Sequence, residues 1–372
     1  MTDPAPRIPA WAPDADRLLA AAATRIRVVG ASTPVNLSAE LARLVDLWTR
    51  FGACAPSFTY APPPDLAALR VALDRVAEGL WSEGDIGALY AARARELEIE
   101  AAICEAAGGP GCWPAARRRY APRDACDGAA DDLAAAWLTA AAEDLTLAAD
   151  HDEPTEEVWS DDEREAGSLV TRMRQEIGAR RLPFRVVVMD IAPLAATGDG
   201  SIQIAARRRL TREDVERTVL HEVEGHAAPA ARAQAMPIGL FAIGTARGSD
   251  DQEGRALALE RAAGYLRGAR RRELALRHLG ARHVERGADF VETAQALLDA
   301  GAPTVRDALR ITARVHRGGG LGRESVYLPA LIRVEATLRD RPDLGWVLGA
   351  GRVAVNAAPI LAAWTPPAPL PP

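Results

Sequence analysis

A chain of 372 residues with 48% hydrophobic and 26% charged side chains has the composition of an ordinary globular protein, long enough to bury a sizeable core in two domains or lobes. The formal net charge is -6, and the short arginine clusters Arg117–Arg119, Arg207–Arg209 and Arg270–Arg272 have acids nearby, so they read as solvated faces and speak against a nucleic-acid partner. No apolar stretch is long enough to span a bilayer, and the first residues lack the apolar segment of a signal peptide, so no membrane partner and a cytoplasmic location are expected.

In chain order, residues 14–29 carry a helical apolar pattern that stops at Gly30. Ser32-Thr-Pro-Val-Asn36 reads as a loop, with Asn36 or Ser38 capping a helix to about Phe51. The proline-rich loop Pro56–Pro64 precedes helices over 65–80 and 85–107, and Gly108-Gly-Pro-Gly111 breaks the second. Residues 112–127 read as an irregular connection, after which helix resumes over 129–149. The cysteines Cys54, Cys104, Cys112 and Cys126 match no metal framework; a Cys104–Cys112 or Cys112–Cys126 bridge stays open beside the simpler reading of idle thiols. The acidic run from Asp150 to Glu165 reads as a solvated linker.

A helix to about Arg180 gives way to Phe184–Ile191, a β-branched run between Pro183 and Pro193 expected as a buried strand. Gly198-Asp-Gly200 is a turn, and Ser201–Ala205 alternates like a strand with one buried face. From Thr211 on the pattern is helical, up to a proline-rich tail after Pro359 expected to trail over the surface. The fold class is therefore α+β, mostly helical, with a small central β-sheet before the helix that carries the chemistry. The expected organisation is a helical N-terminal region over 1–150, a catalytic domain over 151–345 and a C-terminal segment over 346–372.

The chemistry lies between Thr211 and His226. Thr211 followed by Asp214 reads as a capped helix start, and Val215, Val219, Leu220 and Val223 give that helix an apolar side. His221-Glu222 and then His226 follow along it. Histidines four apart beside a glutamate form the zinc-peptidase helix pattern. Here they are five apart, and on a regular α-helix that turns the rings about 140° away from each other. A π-turn brings i and i+5 together, and Gly225 lets the turn distort cheaply. The spacing thus predicts a local irregularity if His221 and His226 hold a metal, with Glu222 as general base. A satisfied core or surface histidine is the plainer alternative.

A third ligand fits downstream. Ser249 or Asp250 can cap a helix whose first turn carries Glu253, and two histidines with one carboxylate leave a position open for water. Glu260, two turns further on, reads as a surface residue. His151, His278, His283 and His316 fall outside the ligand set.

With Glu253 in view, the sequence resembles the tubulin tyrosine carboxypeptidase-like metallopeptidases and their bacterial relatives with a Gln-Glu-Gly-Leu-Pro motif. His221-Glu-Val-Glu-Gly-His226 matches the family's His-Glu-x-x-x-His, and Gln252-Glu253-Gly254 its third-ligand motif. Looser likenesses are Ser32–Asn36, Pro56–Tyr60, Tyr120-Ala-Pro122, and Arg314-Val-His-Arg317-Gly318 through Tyr327-Leu328, so the resemblance spans most of 15–340. Arg255 stands where the family has Leu and Gly225 where it has Thr. Leu321, Arg323 and Glu324 stand where it has Phe, Lys and Asp.

The resemblance implies a zincin-like fold with Zn2+ on His221, His226 and Glu253 and with Glu222 as base. It implies hydrolysis of a peptide or amide bond by metal-activated water, in carboxypeptidase fashion, at the C-terminus of a peptide or protein. Tubulin itself is not singled out by any residue. Tyr327 is the candidate oxyanion donor, with a packed core tyrosine as the alternative. Arg314, Arg317, Arg323 and Arg255 are candidates for holding a substrate carboxylate, which a guanidinium grips in bidentate fashion; each alone also reads as a surface salt bridge. By analogy with other zinc peptidases, Ser201–Ala205 is expected to pair with an extended substrate. Two other readings stay open: an endopeptidase or amidase trimming a modified peptide, and a zinc-containing binding protein without turnover. An intact Glu222 speaks against the second.

Overall fold

The computed structural model describes residues 6–122, 124–148, 156–191, 193–198 and 200–367. Two compact units divide the chain. One, of Met1–Pro9, Thr146–Arg267 and Arg333–Pro372, contains all the described strands and is called the sheet unit; the other, of Ala10–Leu145 and Gly268–Ile332, is built from helices.

The strands of the sheet unit are β1 (Glu157–Trp159), β2 (Arg185–Met189), β3 (Ala195–Gly198), β4 (Ser201–Ala205) and β5 (Arg209–Thr211). β1 pairs antiparallel with β5, and a three-stranded sheet runs in the order β2-β4-β3. β2 lies parallel to β4, Arg185 opposite Ser201, and β3 antiparallel to it, Thr197 opposite Ile202. The alternation in β4 has its expected result, because Ile202 and Ile204 are fully buried. They join Leu169, Met173 and Ile177 of the helix Leu169–Ala179 and Val215, Val219 and Val223 of the next helix in one core. β2 is not the buried strand expected: Val188 is 37% and Met189 45% exposed. It pairs with β4 on one side only, and an apolar run does not by itself reveal a margin strand.

Thr211 and Asp214 form the expected capping box at the start of the helix Arg212–Leu220. This helix passes directly into a π-helix, His221–Ala227, and then into Ala228–Ala233. The helix Gly248–Ala262 packs against the π-helix at close range, since a Cβ on Gly225 would lie 2.7 Å from that of Ala256. Neither Ser249 nor Asp250 caps it. The cap position is Arg247, held at φ 61, and the helix starts early enough that Glu253 falls in its second turn.

The segment 350–355 pins that helix start. The Thr245 amide donates to the Arg352 carbonyl at 2.9 Å, and the Ala354 amide donates to Thr245 Oγ1 at 2.8 Å. The Val355 amide donates to Asp251 Oδ2 at 2.9 Å, while Arg333 pairs with the other Asp251 oxygen at 2.6 Å. The tail does not simply trail: Ala358–Leu361 is helical and Trp364 is buried. Residues 368–372 lie outside the described residues, as do Asp199 of the expected turn and residues 150–155 of the acidic run.

The helical unit follows the sequence pattern closely, with helices at Ala12–Arg25, Leu37–Phe51, Ala67–Leu80, Gly84–Ala106 and Ala125–Ala148 and, after the sheet unit, Gly268–Glu285, Phe290–Asp299 and Val305–Val315. The expected irregular connection is in fact the helix Cys112–Tyr120, whose Pro114 sits in the first turn where no intrahelical N–H bond is lost. Asn36 does not cap. Its amide instead donates to the Ser57 carbonyl at 2.8 Å and accepts from the Thr59 amide at 2.9 Å, fastening the proline-rich loop. Arg119 is buried against Glu96 and Glu100 at 3.1 and 3.2 Å, so the Arg117–Arg119 run is not wholly a solvated face. All four cysteines are free thiols. Among the described residues no helix is long and apolar enough to cross a membrane.

Candidate metal centre and active site

The π-helix solves the spacing problem posed by the sequence. Its wider turn places His221 and His226 on one side, with their Nε2 atoms 3.3 Å apart. The stride of four that buries Val215, Val219, Val223 and Ala227 is kept on the other side. From the facing helix, Glu253 Oε2 comes within 3.6 Å of His221 Nε2 and 3.8 Å of His226 Nε2. Three ligand atoms so placed could hold one metal ion. A tetrahedral ion with bonds of about 2.1 Å spaces its ligands about 3.4 Å apart, close to the three distances found.

The flanking groups give the centre its chemistry. Glu222, adjacent to the first histidine, is 7% exposed, and its Oε2 accepts a hydrogen bond from Thr197 Oγ1 of β3 at 2.7 Å. On the outer side of His221, Nδ1 lies 2.7 Å from Glu260 Oε1. Glu260 is fully buried and not the surface residue expected. Burial of the His221 ring opposes its charge, but Glu253 and Glu260 outweigh that and raise its pKa to about 9. A cleft of about 340 Å³ opens beside the centre, lined by His226, Thr197, Gly198, Phe184, Phe241 and Gln252 among others.

The sequence profile described as microtubule-associated tyrosine carboxypeptidase matches residues 50–365. The chain belongs to this family. The matched span contains the π-helix, Glu253 and the arginine-rich segment before Tyr327, and begins after the looser Ser32–Asn36 likeness. No curated protein matches the chain in sequence. Membership points to a peptidase of the carboxypeptidase type acting on a peptide or protein.

Within this family member the remaining candidates are spread over both units. Arg255 belongs to the sheet unit, where its Nη1 donates to the Glu224 carbonyl of the π-helix at 2.8 Å. Burial and the neighbouring Arg232 pull its pKa down. Arg314, Arg317, Arg323 and Tyr327 all lie in the helical unit. Arg314 forms an ion pair with Glu324 at 2.6 Å, and Arg323 Nη1 donates to the Tyr327 hydroxyl at 3.4 Å. Tyr327 is buried, with the Arg277 guanidinium 4.4 Å from its ring centre. Arg317 differs from the others. It is 7% exposed, its Nε finds no hydrogen-bond partner among the described residues, and burial, reinforced by Arg314, lowers its pKa to about 10.

The strand expected to pair with substrate is the central one. β4 is hydrogen-bonded on both sides and has no edge to offer, whereas β3 is a margin strand and carries Thr197. Sequence reasoning missed Thr197 and misplaced Glu260. Nothing in the sequence marks Thr197. Glu260 had a signal, since it lies seven residues beyond Glu253 and therefore on the same face of its helix. Of the other four histidines, the three that are described stay outside the centre: His278 is 2.8 Å from Asp131 and His316 2.8 Å from Thr293, both in the helical unit. His283 is also in the helical unit, and His151 lies outside the described residues.

Proposed function

We propose that the protein is a zinc-dependent metallopeptidase with a zincin-like active site, removing a residue from the C-terminus of a peptide or protein. The observation that carries this reading is the convergence of His221, His226 and Glu253 beside the buried carboxylate of Glu222. Two imidazoles and one carboxylate suit zinc and leave a coordination position open. Bound there, zinc would supply Lewis-acid chemistry that polarises a carbonyl and acidifies water. Glu222 takes the proton from the attacking water and passes it to the leaving amine. Thr197 holds one of its oxygens at 2.7 Å, which leaves the second for that proton. An extended peptide laid along β3 would follow the cleft past Thr197 and Gly198. Arg255, Arg314, Arg317 and Arg323 stay the candidates for receiving the substrate carboxylate and Tyr327 the candidate oxyanion donor, as the family resemblance implies.

Elemental analysis of the purified protein and of His226→Ala tests the metal. About one zinc per chain, lost in the variant, is expected. Glu222→Gln should keep the zinc and lose turnover on free-carboxylate peptides. Cleavage of peptides amidated at the C-terminus would point instead to an endopeptidase or amidase. Zinc without turnover on any peptide would leave a binding protein, and wild type that takes up no zinc would overturn the proposal.

A further inference from the structure

Glu260 is a buried carboxylate that the proposed hydrolysis does not use. It is fully buried, and its Oε1 lies 2.7 Å from His221 Nδ1. Isolating an ionised carboxylate from water is costly unless hydrogen-bond donors meet it. An imidazole has one nitrogen on each side of the ring, and only the unprotonated one can bind a metal. The group facing Nδ1 therefore decides which nitrogen is left for the ion.

We infer that Glu260 is a positioning residue for the metal centre: it accepts the Nδ1–H of His221, fixes that tautomer and the ring plane, and so presents the Nε2 lone pair to the point shared with His226 and Glu253. The inference rests on the metal reading given above. Three features of the structure carry it. The nitrogen that meets Glu260 is the one turned away from His226, whose Nε2 lies 3.3 Å from His221 Nε2. Glu253 and Glu260 stand on the same face of one helix, so a single rigid element sets both the ligand and the orienting carboxylate. Finally, the π-helix has non-standard geometry, and a ring carried on it is aimed by what packs behind it as well as by its own backbone. Glu260 would also raise the basicity of the His221 ligand, as carboxylate partners of metal-bound histidines do.

The test compares Glu260→Gln with Glu260→Leu. The glutamine keeps an oxygen that can accept the Nδ1–H, while the leucine fills the space without an acceptor. Zinc affinity, read by competition with a chromophoric chelator, should fall about 10- to 100-fold in Glu260→Leu and clearly less in Glu260→Gln. Thermal melts of the zinc-free proteins show whether both variants fold. A third readout needs no variant: in long-range proton–nitrogen spectra of the zinc-loaded wild type, His221 should carry its proton on Nδ1. If wild type binds zinc and both variants match its affinity, or if His221 is protonated on Nε2, this inference fails while the metal reading stands. If wild type binds no zinc at all, both fail together.

Discussion

Thr197 shows how much a single side chain can settle that the sequence leaves silent. Its hydroxyl, on β3, donates to the proposed base at 2.7 Å, and Glu222 is 7% exposed. A hydrogen bond to a charged acceptor contributes about 1.5–3 kcal/mol, or roughly a ten- to hundred-fold change in rate. Thr197→Val removes the donor and keeps the shape. It should lower kcat/KM on a cleavable peptide by that factor while zinc content stays at the wild-type value. A parallel loss of zinc would show that Thr197 supports the ligands and not the base. The ligands and the base were legible because His221, Glu222, His226 and Glu253, with their spacing, are written in 33 consecutive positions from His221 to Glu253. The base's partner was not, because β3 reaches it through pairing with β4, and strand pairing leaves no local mark at the threonine.

Among the elements, the π-helix is the one whose geometry the sequence demanded and the fold supplied. Histidines five positions apart require an extra residue in the turn, and the structure places that turn at His221–Ala227. The reason for Gly225 is different from the one its flexibility suggests. The site of its missing Cβ lies 2.7 Å from the Ala256 Cβ, so the glycine is there to let two helices approach. Gly225→Ala should force them apart, costing about 1–3 kcal/mol of stability through overpacking and weakening zinc binding, because Glu253 rides on the helix that moves. Ala256→Gly, which itself costs about 1 kcal/mol in a helix, should restore zinc affinity in the double variant. Melting temperatures and chelator competition on the four proteins would show it, and a double variant no better than Gly225→Ala would refute the close-approach account. By contrast, the start of the Glu253 helix was misread from its sequence. Ser249 and Asp250 look like caps, but the helix is held by residues 350–355, some hundred positions away, and no local pattern reports a contact of that length.

Over the whole molecule, two buried carboxylates, one in each unit, answer acid in opposite directions. In the helical unit, Glu324 is 2% exposed and bonds Arg277 at 2.7 Å, with Arg314 also against it. Burial alone would raise its pKa, but Arg277, Arg314 and Arg323 pull it down to about 2. A carboxylate whose pKa is depressed on folding stabilises the fold above its ordinary value of 4.5, and that stability is lost as pH falls from 4.5 through about 2. The shift corresponds to about 3 kcal/mol, at about 1.4 kcal/mol for each pKa unit. In the sheet unit, Asp251 has the reverse sign. Its burial raises the pKa despite Arg333, so a falling pH relieves a cost there. Hydrogen exchange of the zinc-free protein at several pH values between 5 and 2.5 should therefore show residues 268–332 losing protection well before residues 248–262. Glu324→Gln should already weaken the helical unit at neutral pH by about 3–5 kcal/mol, because it removes the carboxylate that the buried Arg277 and the partly buried Arg314 share, yet flatten the further loss in acid. If the variant and the wild type lose protection over 268–332 with the same dependence on pH, then Glu324 is not the group that titrates, and the acid sensitivity of the helical unit must come from its more exposed ion pairs.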